Sequence, residues 1–397
     1  MQLTGRSYEN GEPICVTIEG TRIASVEPVW PGGPRPNGPR PDGPVSEWPY
    51  IAPGLFDLQI NGHGGIWFSR DGLTAADVIR TLEPHFRYGI TRLCPTLITN
   101  SFEALAAGFA AIDDACRQET WVAEMVAGCH LEGPYLSAED GPRGAHPLEQ
   151  IRPADWDEFQ RLQEISGNRI KLLTLAPEIE GALELIPKAV ESGVVVSIGH
   201  TAATPGQITA AVDAGARLST HLGNGAHGMI RRHPNYIWEQ LGEPRLMASI
   251  ITDGHHLPPS VIRSFLGVKT PLRTIITCDA AGLAGCPPGV YRDGTLDVEI
   301  LEDGRIVIAG QRQLLAGSGL ETDTCVAHVI DVAGVSLQEA FDMAGRNPAR
   351  LLGCETIELA RGSRADLVLF NYAGPGSSLD IRATIAAGNV RFGKCPD

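Results

Sequence analysis

Residues 194–224 read VVVSIGHTAATPGQITAAVDAGARLSTHLGN. An apolar run at 194–198 is followed by a helix pattern over 204–214, and a second apolar run follows at 217–220. A strand, a helix and a further strand in this order form the repeating unit of α/β proteins. The stretch therefore predicts a β-α-β unit with polar residues directly after each strand.

The same alternation continues in both directions along the chain. Eight apolar, strand-like runs are present: 51–60, 90–97, 125–131, 170–175, 194–198, 217–220, 247–252 and 274–278. Helix patterns lie between them at 74–88, 101–117, 153–165, 182–192, 204–214 and 259–266. Eight alternations in about 230 residues predict a (β/α)8 barrel. A doubly wound sheet is the alternative, but it needs fewer strands and a G-x-G-x-x-G turn, which the sequence lacks.

Both ends of the chain carry strand patterns outside this barrel. They lie at 14–18 and 21–26 near the start, and at 365–370, 381–386 and 389–392 near the end. We predict that the ends pair into one small β domain of residues 1–52 and 356–397, with the barrel at 53–355. A hairpin is expected at 290–309, and the Pro/Gly-rich insert 31–44 is expected to be a flexible or extended surface segment.

Composition limits the classes of partner. The 397 residues carry 32 basic and 47 acidic side chains, for a net charge of −15, and no basic stripe, which argues against nucleic acid and anionic membrane surfaces. No apolar run approaches the length of a membrane span. The nine cysteines form no C-x-x-C pair and the start resembles no secretory signal, so we expect a cytoplasmic protein.

Polar side chains follow the predicted strands, where barrel enzymes place their chemistry. Glu132, His200 and His221 follow strands three, five and six. One carboxylate oxygen and two imidazole nitrogens, with a position left open for water, suit a catalytic Zn²⁺ and also Fe²⁺, Co²⁺ or Mn²⁺. Asp279 follows strand eight, where a carboxylate beside the metal can take a proton from water and deliver it to a leaving group.

The other histidines and cysteines considered are predicted to have supporting, packing or surface roles. His130 shares a strand face with Glu132, and we favour a structural or supporting role for it. His85 and His328 fall in helix patterns and are expected to be surface or packing residues. Cys129 and Cys278 are interpreted as barrel packing.

A set of ordered motifs resembles one known family. The motifs are HLEGP at 130–134, GAHP at 144–147, GHT at 199–201, THLxN at 220–224, DGHHL at 253–257, DAAGLAG at 279–285, LAGS at 315–318, NPARLLG at 347–353 and ADLVLF at 365–370. From about residue 53 to the C-terminus the chain resembles the N-acetylglucosamine-6-phosphate deacetylases of the amidohydrolase superfamily. The resemblance implies a barrel with a small β-sandwich from both termini, and a homodimer.

The resemblance also implies roles for individual residues. Glu132, His200 and His221 would bind the metal, and Asp279 would be the general acid and base. His256 would stabilise the oxyanion and, with His146, contact the acetamide and sugar of the substrate. Asn224 and Gly225 would lie near the phosphate.

Two regions depart from the family pattern. Many amidohydrolases have His-x-His after strand one, which binds a second metal, whereas this chain has Gln59 and Asn61. Neutral amides are weaker ligands than imidazoles, so we expect a single metal, with these two residues as a remnant of the second site. Beyond Gly225, Arg231, Arg232 and His233 can bind a phosphate across a dimer interface, but a solvated basic turn is equally compatible with the sequence.

The expected activity is metal-dependent deacetylation of an N-acetyl amino sugar phosphate, N-acetylglucosamine 6-phosphate above all, in amino-sugar catabolism. Another amidohydrolase activity remains an alternative: hydrolysis of an N-acyl amino acid, a cyclic amide or a non-phosphorylated N-acetyl sugar at the same site. A non-catalytic sugar-phosphate binder is the third reading, against which the complete set of proposed metal and proton-transfer residues argues.

Overall fold

Eight parallel strands form a nearly closed barrel, which confirms the predicted fold class. A computed structural model describes residues 1–30, 41, 43–293 and 296–395. The barrel strands are β1 (Leu55–Ile60), β2 (Ile90–Ile98), β3 (Cys129–Glu132), β4 (Ile170–Leu175), β5 (Val195–Ile198), β6 (Leu218–Ser219), β7 (Met247–Ile251) and β8 (Thr274–Thr277). Each strand pairs in parallel with the next one along the chain.

A buried carboxylate joins the first and last barrel strands. Asp57 on β1 is fully buried and accepts hydrogen bonds from the Thr277 hydroxyl, from the Cys278 amide at 2.8 Å and from the Thr322 hydroxyl at 2.6 Å. Burial raises the pKa of Asp57, and these hydrogen bonds oppose that rise. The contacts tie β8 and the segment after it to β1, so the barrel mouth is fixed where its two ends meet.

The predicted strand 51–60 was wrong in one respect, because the structure divides it at Gly54. Residues Tyr50–Pro53 join the sheet of the chain termini, and β1 begins only at Leu55. A Cβ atom at Gly54 would lie 2.3 Å from the Thr91 hydroxyl oxygen, so the backbone passes Thr91 too closely for any other residue.

Eleven α-helices lie in the described part of the chain. They are α1 (Ala75–Leu82), α2 (Phe102–Gln118), α3 (Thr120–Met125), α4 (Trp156–Ile165), α5 (Ala182–Glu191), α6 (Pro205–Ala214), α7 (Tyr236–Gly242), α8 (Pro259–Lys269), α9 (Thr322–Ala333), α10 (Leu337–Met343) and α11 (Arg346–Leu352). Four 3₁₀ helices accompany them: Val45–Glu47, Glu83–Tyr88, Leu148–Gln150 and Pro271–Arg273. None of the described helices is long and apolar enough to cross a membrane.

The helices begin where the sequence places their caps. Thr74 and Thr204 form capping boxes at the starts of α1 and α6, which satisfies amides that have no partner within the helix. The predicted helix 74–88 ends as an α-helix at Leu82 and continues as the 3₁₀ helix Glu83–Tyr88, with Pro84 in its first turn. The short helices α3, α7 and α11 were not predicted, because too few turns show a period.

Strands from both termini form one mixed sheet, as predicted. Its order is Asn389–Gly393, Asp380–Ala386, Leu367–Asn371, Tyr50–Pro53, Gln2–Ser7, Pro13–Glu19 and Arg22–Pro28. Apolar side chains from both ends of the chain share one core, among them Leu3, Val16, Leu367 and Ile385. The domain limits 1–52, 53–355 and 356–397 stay a prediction, and most of the insert 31–44 lies outside the described residues.

Two smaller sheets follow strands of the barrel. The predicted hairpin at 290–309 is part of a four-stranded antiparallel sheet after β8, formed by Gly289–Asp293, Leu296–Ile300, Ile306–Ile308 and Gln311–Leu315. The strands Gly62–His63 and Ile66–Trp67 pair directly after β1. Both additions follow the carboxyl ends of barrel strands and so lie at the end of the barrel where chemistry is expected.

Candidate active site

Three potential metal ligands converge at the barrel mouth. Nε2 of His221 lies 3.0 Å from Oε1 of Glu132 and 3.0 Å from Nε2 of His200, and Nε2 of His200 lies 3.2 Å from the same carboxylate oxygen. Each residue is less than a tenth exposed. The three residues follow or end β3, β5 and β6, so parallel pairing alone brings them to the same end of the barrel.

Hydrogen bonds around this cluster fit a bound cation. Nδ1 of His200 donates to the carbonyl oxygen of Pro142 at 2.8 Å, so its Nε2 presents a lone pair to the cluster. Burial raises the pKa of Glu132, but the hydrogen bonds and charges of His200 and His221 outweigh burial and hold it well below its usual value. An ionised carboxylate and the Nε2 atoms of two histidines therefore lie together, and one divalent cation can bind all three.

Backbone strain accompanies the cluster. His200, His221 and Asp279 all have positive φ angles, of 49°, 29° and 54°, which costs a non-glycine residue of order 1–3 kcal/mol. Gly225, at φ +55°, allows close packing, because a Cβ atom there would lie 2.7 Å from Nδ1 of His200. The fold thus holds these side chains in conformations that a free chain avoids, a pattern common at functional sites.

Asp279 directly follows β8 and is held by the remnant residue Asn61. Nδ2 of Asn61 donates to Oδ1 of Asp279 at 2.7 Å. Burial, and after it the charge of Glu132, raises the pKa of the Asp279 carboxyl to about 6. A carboxyl group whose pKa lies near neutrality can both accept and return a proton.

The amides at 59 and 61 act as hydrogen-bond donors. Nε2 of Gln59 donates to Oε1 of Glu132 at 2.8 Å, while Asn61 donates to Asp279. Both side chains, which stand at the positions of the His-x-His motif, support a proposed ligand or the proposed acid–base group. The sequence predicted only the remnant of a second metal site, because it does not show what each amide donates to.

His256 belongs to a hydrogen-bonded dyad that the sequence analysis also missed. Its Nδ1 lies 2.8 Å from Oδ2 of Asp253, which in turn accepts a hydrogen bond from the Ser318 hydroxyl at 3.0 Å. Burial raises the pKa of Asp253, but the hydrogen bond and charge of His256 outweigh it and hold that pKa well below its usual value. A carboxylate can only accept a hydrogen bond, so Nδ1 of His256 donates to Asp253 and this contact orients the ring.

Three other residues that are predicted to bind substrate, His146, Asn224 and Gly225, lie beside the cluster. Nε2 of His146 lies 3.3 Å from Nε2 of His200, and its Nδ1 lies 2.8 Å from the Thr99 hydroxyl. Burial lowers the pKa of His146 to about 3, so the ring is neutral. Asn224 donates from Nδ2 to the carbonyl oxygen of His221 at 3.3 Å, and with Gly225 it lines a small cavity beside the cluster.

The basic turn stands apart from these contacts. Arg231, Arg232 and His233 are exposed, and Asn235 fixes the turn by donating to the carbonyl oxygens of both arginines at 2.9 and 3.1 Å. Within the described chain, no hydrogen bond or ion pair joins the side chains of Arg232 or His233 to the metal-ligand cluster. Their phosphate contact remains a prediction.

His130 and His85 are both buried, but they have different surroundings. His130 lies inside the barrel, where Nε2 is 2.7 Å from the Thr174 hydroxyl, and burial lowers its pKa to about 4. His85 is fully buried and, with His63 and Glu321, forms a second group of possible metal ligands. These three residues come from separate segments, so no motif in the sequence could have found the group.

Fold and site together define a class of protein. A parallel barrel with two histidines and a glutamate gathered at its mouth, beside a buried aspartate of raised pKa, is the architecture of a metal-dependent hydrolase. A family model described as the amidohydrolase family matches residues 50–391. The chain belongs to the amidohydrolase family, in the branch of the N-acetylglucosamine-6-phosphate deacetylases.

Individual relatives support this placement. The chain is 34% identical to an N-acetylgalactosamine-6-phosphate deacetylase of Escherichia coli O157:H7, over 80% of this chain and 82% of the relative. It is 32% identical to the human N-acetylglucosamine-6-phosphate deacetylase, over 86% and 83%. A structure of the Mycobacterium smegmatis N-acetyl-D-glucosamine-6-phosphate deacetylase in complex with N-acetyl-D-glucosamine-6-phosphate superposes with a TM-score of 0.85 at 30% identity, covering 98% of this chain and 99% of that chain.

Proposed function

We propose that the protein hydrolyses the acetamide of an N-acetylhexosamine 6-phosphate, with N-acetylglucosamine 6-phosphate as the first candidate, to the free amino sugar phosphate and acetate. The observation that carries the proposal is the position of Asp279 at the same barrel mouth as Glu132, His200 and His221. An amide needs an activated water and a proton for the departing amine, and this arrangement supplies both. The reaction would serve amino-sugar catabolism.

Glu132, His200 and His221 are proposed to hold one divalent metal ion, Zn²⁺ in the first place, with Fe²⁺, Co²⁺ and Mn²⁺ compatible with the same ligands. A divalent ion in this position lowers the pKa of water and polarises a carbonyl group. Gln59 restrains the glutamate through its hydrogen bond, and the Pro142 carbonyl restrains His200. Such supporting contacts keep ligands oriented before the ion binds.

Asp279 and His256 are proposed to move protons and stabilise charge. Asp279 accepts the proton of the attacking water and returns it to the amine nitrogen as the C–N bond breaks, so it ends the cycle as it began. His256, whose Nδ1 is hydrogen-bonded to Asp253, would donate a hydrogen bond from Nε2 to the carbonyl oxygen of the acetamide, where negative charge develops. Asn61 keeps the Asp279 carboxyl oriented throughout.

Substrate binding is proposed for residues around the cluster. His146 would contact the acetamide or sugar, and Asn224 with the backbone of Gly225 would lie near the phosphate. Arg232 would add positive charge and His233 a hydrogen-bond donor for the phosphate, from the partner subunit of a homodimer.

We also propose a reducing compartment, the cytoplasm, as the place of action. All nine cysteines are free, and those in the barrel are buried thiols such as Cys94, Cys129 and Cys278. Free thiols are the usual state of cysteine in that compartment.

Acetate release tests the function directly. The metal-loaded protein is assayed with N-acetylglucosamine 6-phosphate, its C4 epimer N-acetylgalactosamine 6-phosphate, free N-acetylglucosamine and an N-acetyl amino acid. We expect turnover of at least one 6-phosphate and at least tenfold lower kcat/KM without the phosphate. A Glu132→Gln variant, which keeps shape but weakens the ligand, serves as the inactive control. Release only from the amino acid, or from none of the four, would refute the proposal.

The epimer comparison is informative because the relatives include both activities at similar identity. The N-acetylgalactosamine-6-phosphate enzyme of E. coli O157:H7 is 34% identical and the N-acetylglucosamine-6-phosphate enzyme of Bos taurus 33% identical. A difference in kcat/KM between the two substrates therefore measures a property of this chain that family membership leaves open.

A further inference from the structure

A second buried group of ligand-type side chains lies outside the proposed active site. His63 follows β1, His85 lies in the 3₁₀ helix Glu83–Tyr88, and Glu321 directly precedes α9. Their exposed fractions are 7%, 0% and 3%. Nδ1 of His63 lies 2.9 Å from Oε1 of Glu321, and Nδ1 of His85 lies 3.4 Å from Oε2. One ligand atom from each residue lies within 4.8 Å of the others.

These spacings match a metal site. Bonds of about 2.1 Å in a tetrahedral zinc site place neighbouring ligand atoms roughly 3.4 Å apart. The two distances in this group, 2.9 Å to Oε1 and 3.4 Å to Oε2 of Glu321, are similar to the 3.0 and 3.2 Å that join the histidines of the other cluster to Oε1 of Glu132. The two groups also share their composition of two imidazoles and one carboxylate.

The ring of His85 shows why hydrogen bonds alone do not account for the group. Among the described residues neither ring nitrogen of His85 has a hydrogen-bond partner, and both atoms are fully buried. Its Nδ1 lies 3.4 Å from Oε2 of Glu321 but without hydrogen-bond geometry. A buried polar group that lacks a hydrogen bond is costly, and a cation bound at Nδ1 would remove that cost for one of the two nitrogens.

We propose that His63, His85 and Glu321 form a second divalent-metal site, for Zn²⁺ or an ion of similar ligand preference, with a structural role. It differs from the second metal that the His-x-His motif would hold, because Gln59 and Asn61 point to the proposed catalytic groups through their hydrogen bonds. The ion would join three separate segments of the chain: the residues after β1, the 3₁₀ helix Glu83–Tyr88 and the start of α9.

Two of these segments also support the proposed active site. Asn61, which holds Asp279, lies two residues before His63, and Ser318, which holds Asp253, lies three residues before Glu321. A metal that fixes His63 to Glu321 therefore fixes the backbone on both sides of the acid–base group. Loss of the ion is expected to lower thermal stability and to lower kcat only a few-fold.

Metal stoichiometry tests the site without relying on activity. Protein that is stripped, reloaded with Zn²⁺ and dialysed is expected to keep two equivalents in the wild type, one in His85→Phe and one in Glu132→Gln. His328→Phe is the matched control, because His328 lies on α9 outside the group and also has a buried ring nitrogen without a partner, and it is expected to keep two. Two equivalents in His85→Phe would overturn the proposal.

Failure here and failure of the catalytic site give different results. If the wild type binds one equivalent that is lost in Glu132→Gln and kept in His85→Phe, then His63, His85 and Glu321 hold no metal, and the second site is overturned. One equivalent that His85→Phe removes supports the second site and counts against the catalytic one. If His85→Phe does not fold, Co²⁺ titration of the metal-free wild type and of His63→Gln replaces it. An equivalent of tight binding that His63→Gln loses supports the proposal, and a stoichiometry that His63→Gln leaves unchanged overturns it.

Discussion

Replacing Asp279 with asparagine should separate catalysis from folding and metal binding. Asparagine keeps the size of the side chain, and its Oδ1 can still accept the 2.7 Å hydrogen bond from Asn61. What disappears is the group that accepts and returns a proton. Loss of a general acid–base group costs about 10²–10⁴-fold in kcat, equivalent to roughly 3–5 kcal/mol of transition-state stabilisation.

The same substitution should increase stability in the metal-free protein. The pKa of Asp279 is raised from 3.8 to about 6, so its neutral form is favoured in the folded state. The resulting stabilisation of the folded state is fully present below pH 3.8 and is lost as the pH rises through 6. At pH 8 the ionised carboxyl therefore makes the fold less stable than the neutral carboxyl would, by up to about 3 kcal/mol. An amide carries no such cost, and the metal-free variant should therefore unfold at higher urea concentration at pH 8.

The assay combines acetate release with metal analysis and urea unfolding of Asp279→Asn. Asp114→Asn is the matched control, because this exposed carboxylate on α2 lies outside the site and its loss should leave kcat and stability unchanged. A variant whose kcat stays within tenfold of wild type, with its metal bound, would refute the acid–base role. Lower stability of the metal-free variant at pH 8 would refute the stated cause of the raised pKa.

Three further outcomes follow from single contacts. Gln59→Ala removes the 2.8 Å hydrogen bond to Glu132 and should weaken metal binding about 10–100-fold. Competition with a chelator measures this affinity, and an unchanged value would contradict the supporting role of Gln59. Burial lowers the pKa of Lys269 to about 8, so between pH 8 and 10.5 the unfolded chain binds more protons than the folded one. The stability of the wild type relative to Lys269→Met, measured by urea titration, should therefore rise with pH in this range by up to about 3 kcal/mol. A difference that stays flat or falls would exclude this. Phe159→Ala empties a fully buried position on α4 and should cost about 3–5 kcal/mol of unfolding free energy, whereas the exposed Trp238→Ala should cost far less.

The sequence by itself determined the barrel and the ends of its strands. Each of the eight strand-like runs overlaps a barrel strand, because an apolar run bounded by turns records burial locally. Two runs extend too far: 51–60 includes a strand of the terminal sheet, and 125–131 begins at the end of α3. Glu132, His200 and His221 could be proposed together for the same reason, since the carboxyl ends of parallel strands meet at one end of a barrel. The division at Gly54 was not visible, because only its packing against Thr91 requires it.

Tertiary structure decided which side chains support that site. Gln59 on β1 reaches Glu132 on β3, and Asn61 reaches Asp279 where β1 and β8 meet. The group around His85 brings together a strand end, a 3₁₀ helix and the start of α9. Such contacts depend on closure of the barrel and on the direction of each side chain. A periodicity in sequence reports which face of an element is buried and carries no information on its partner across the fold.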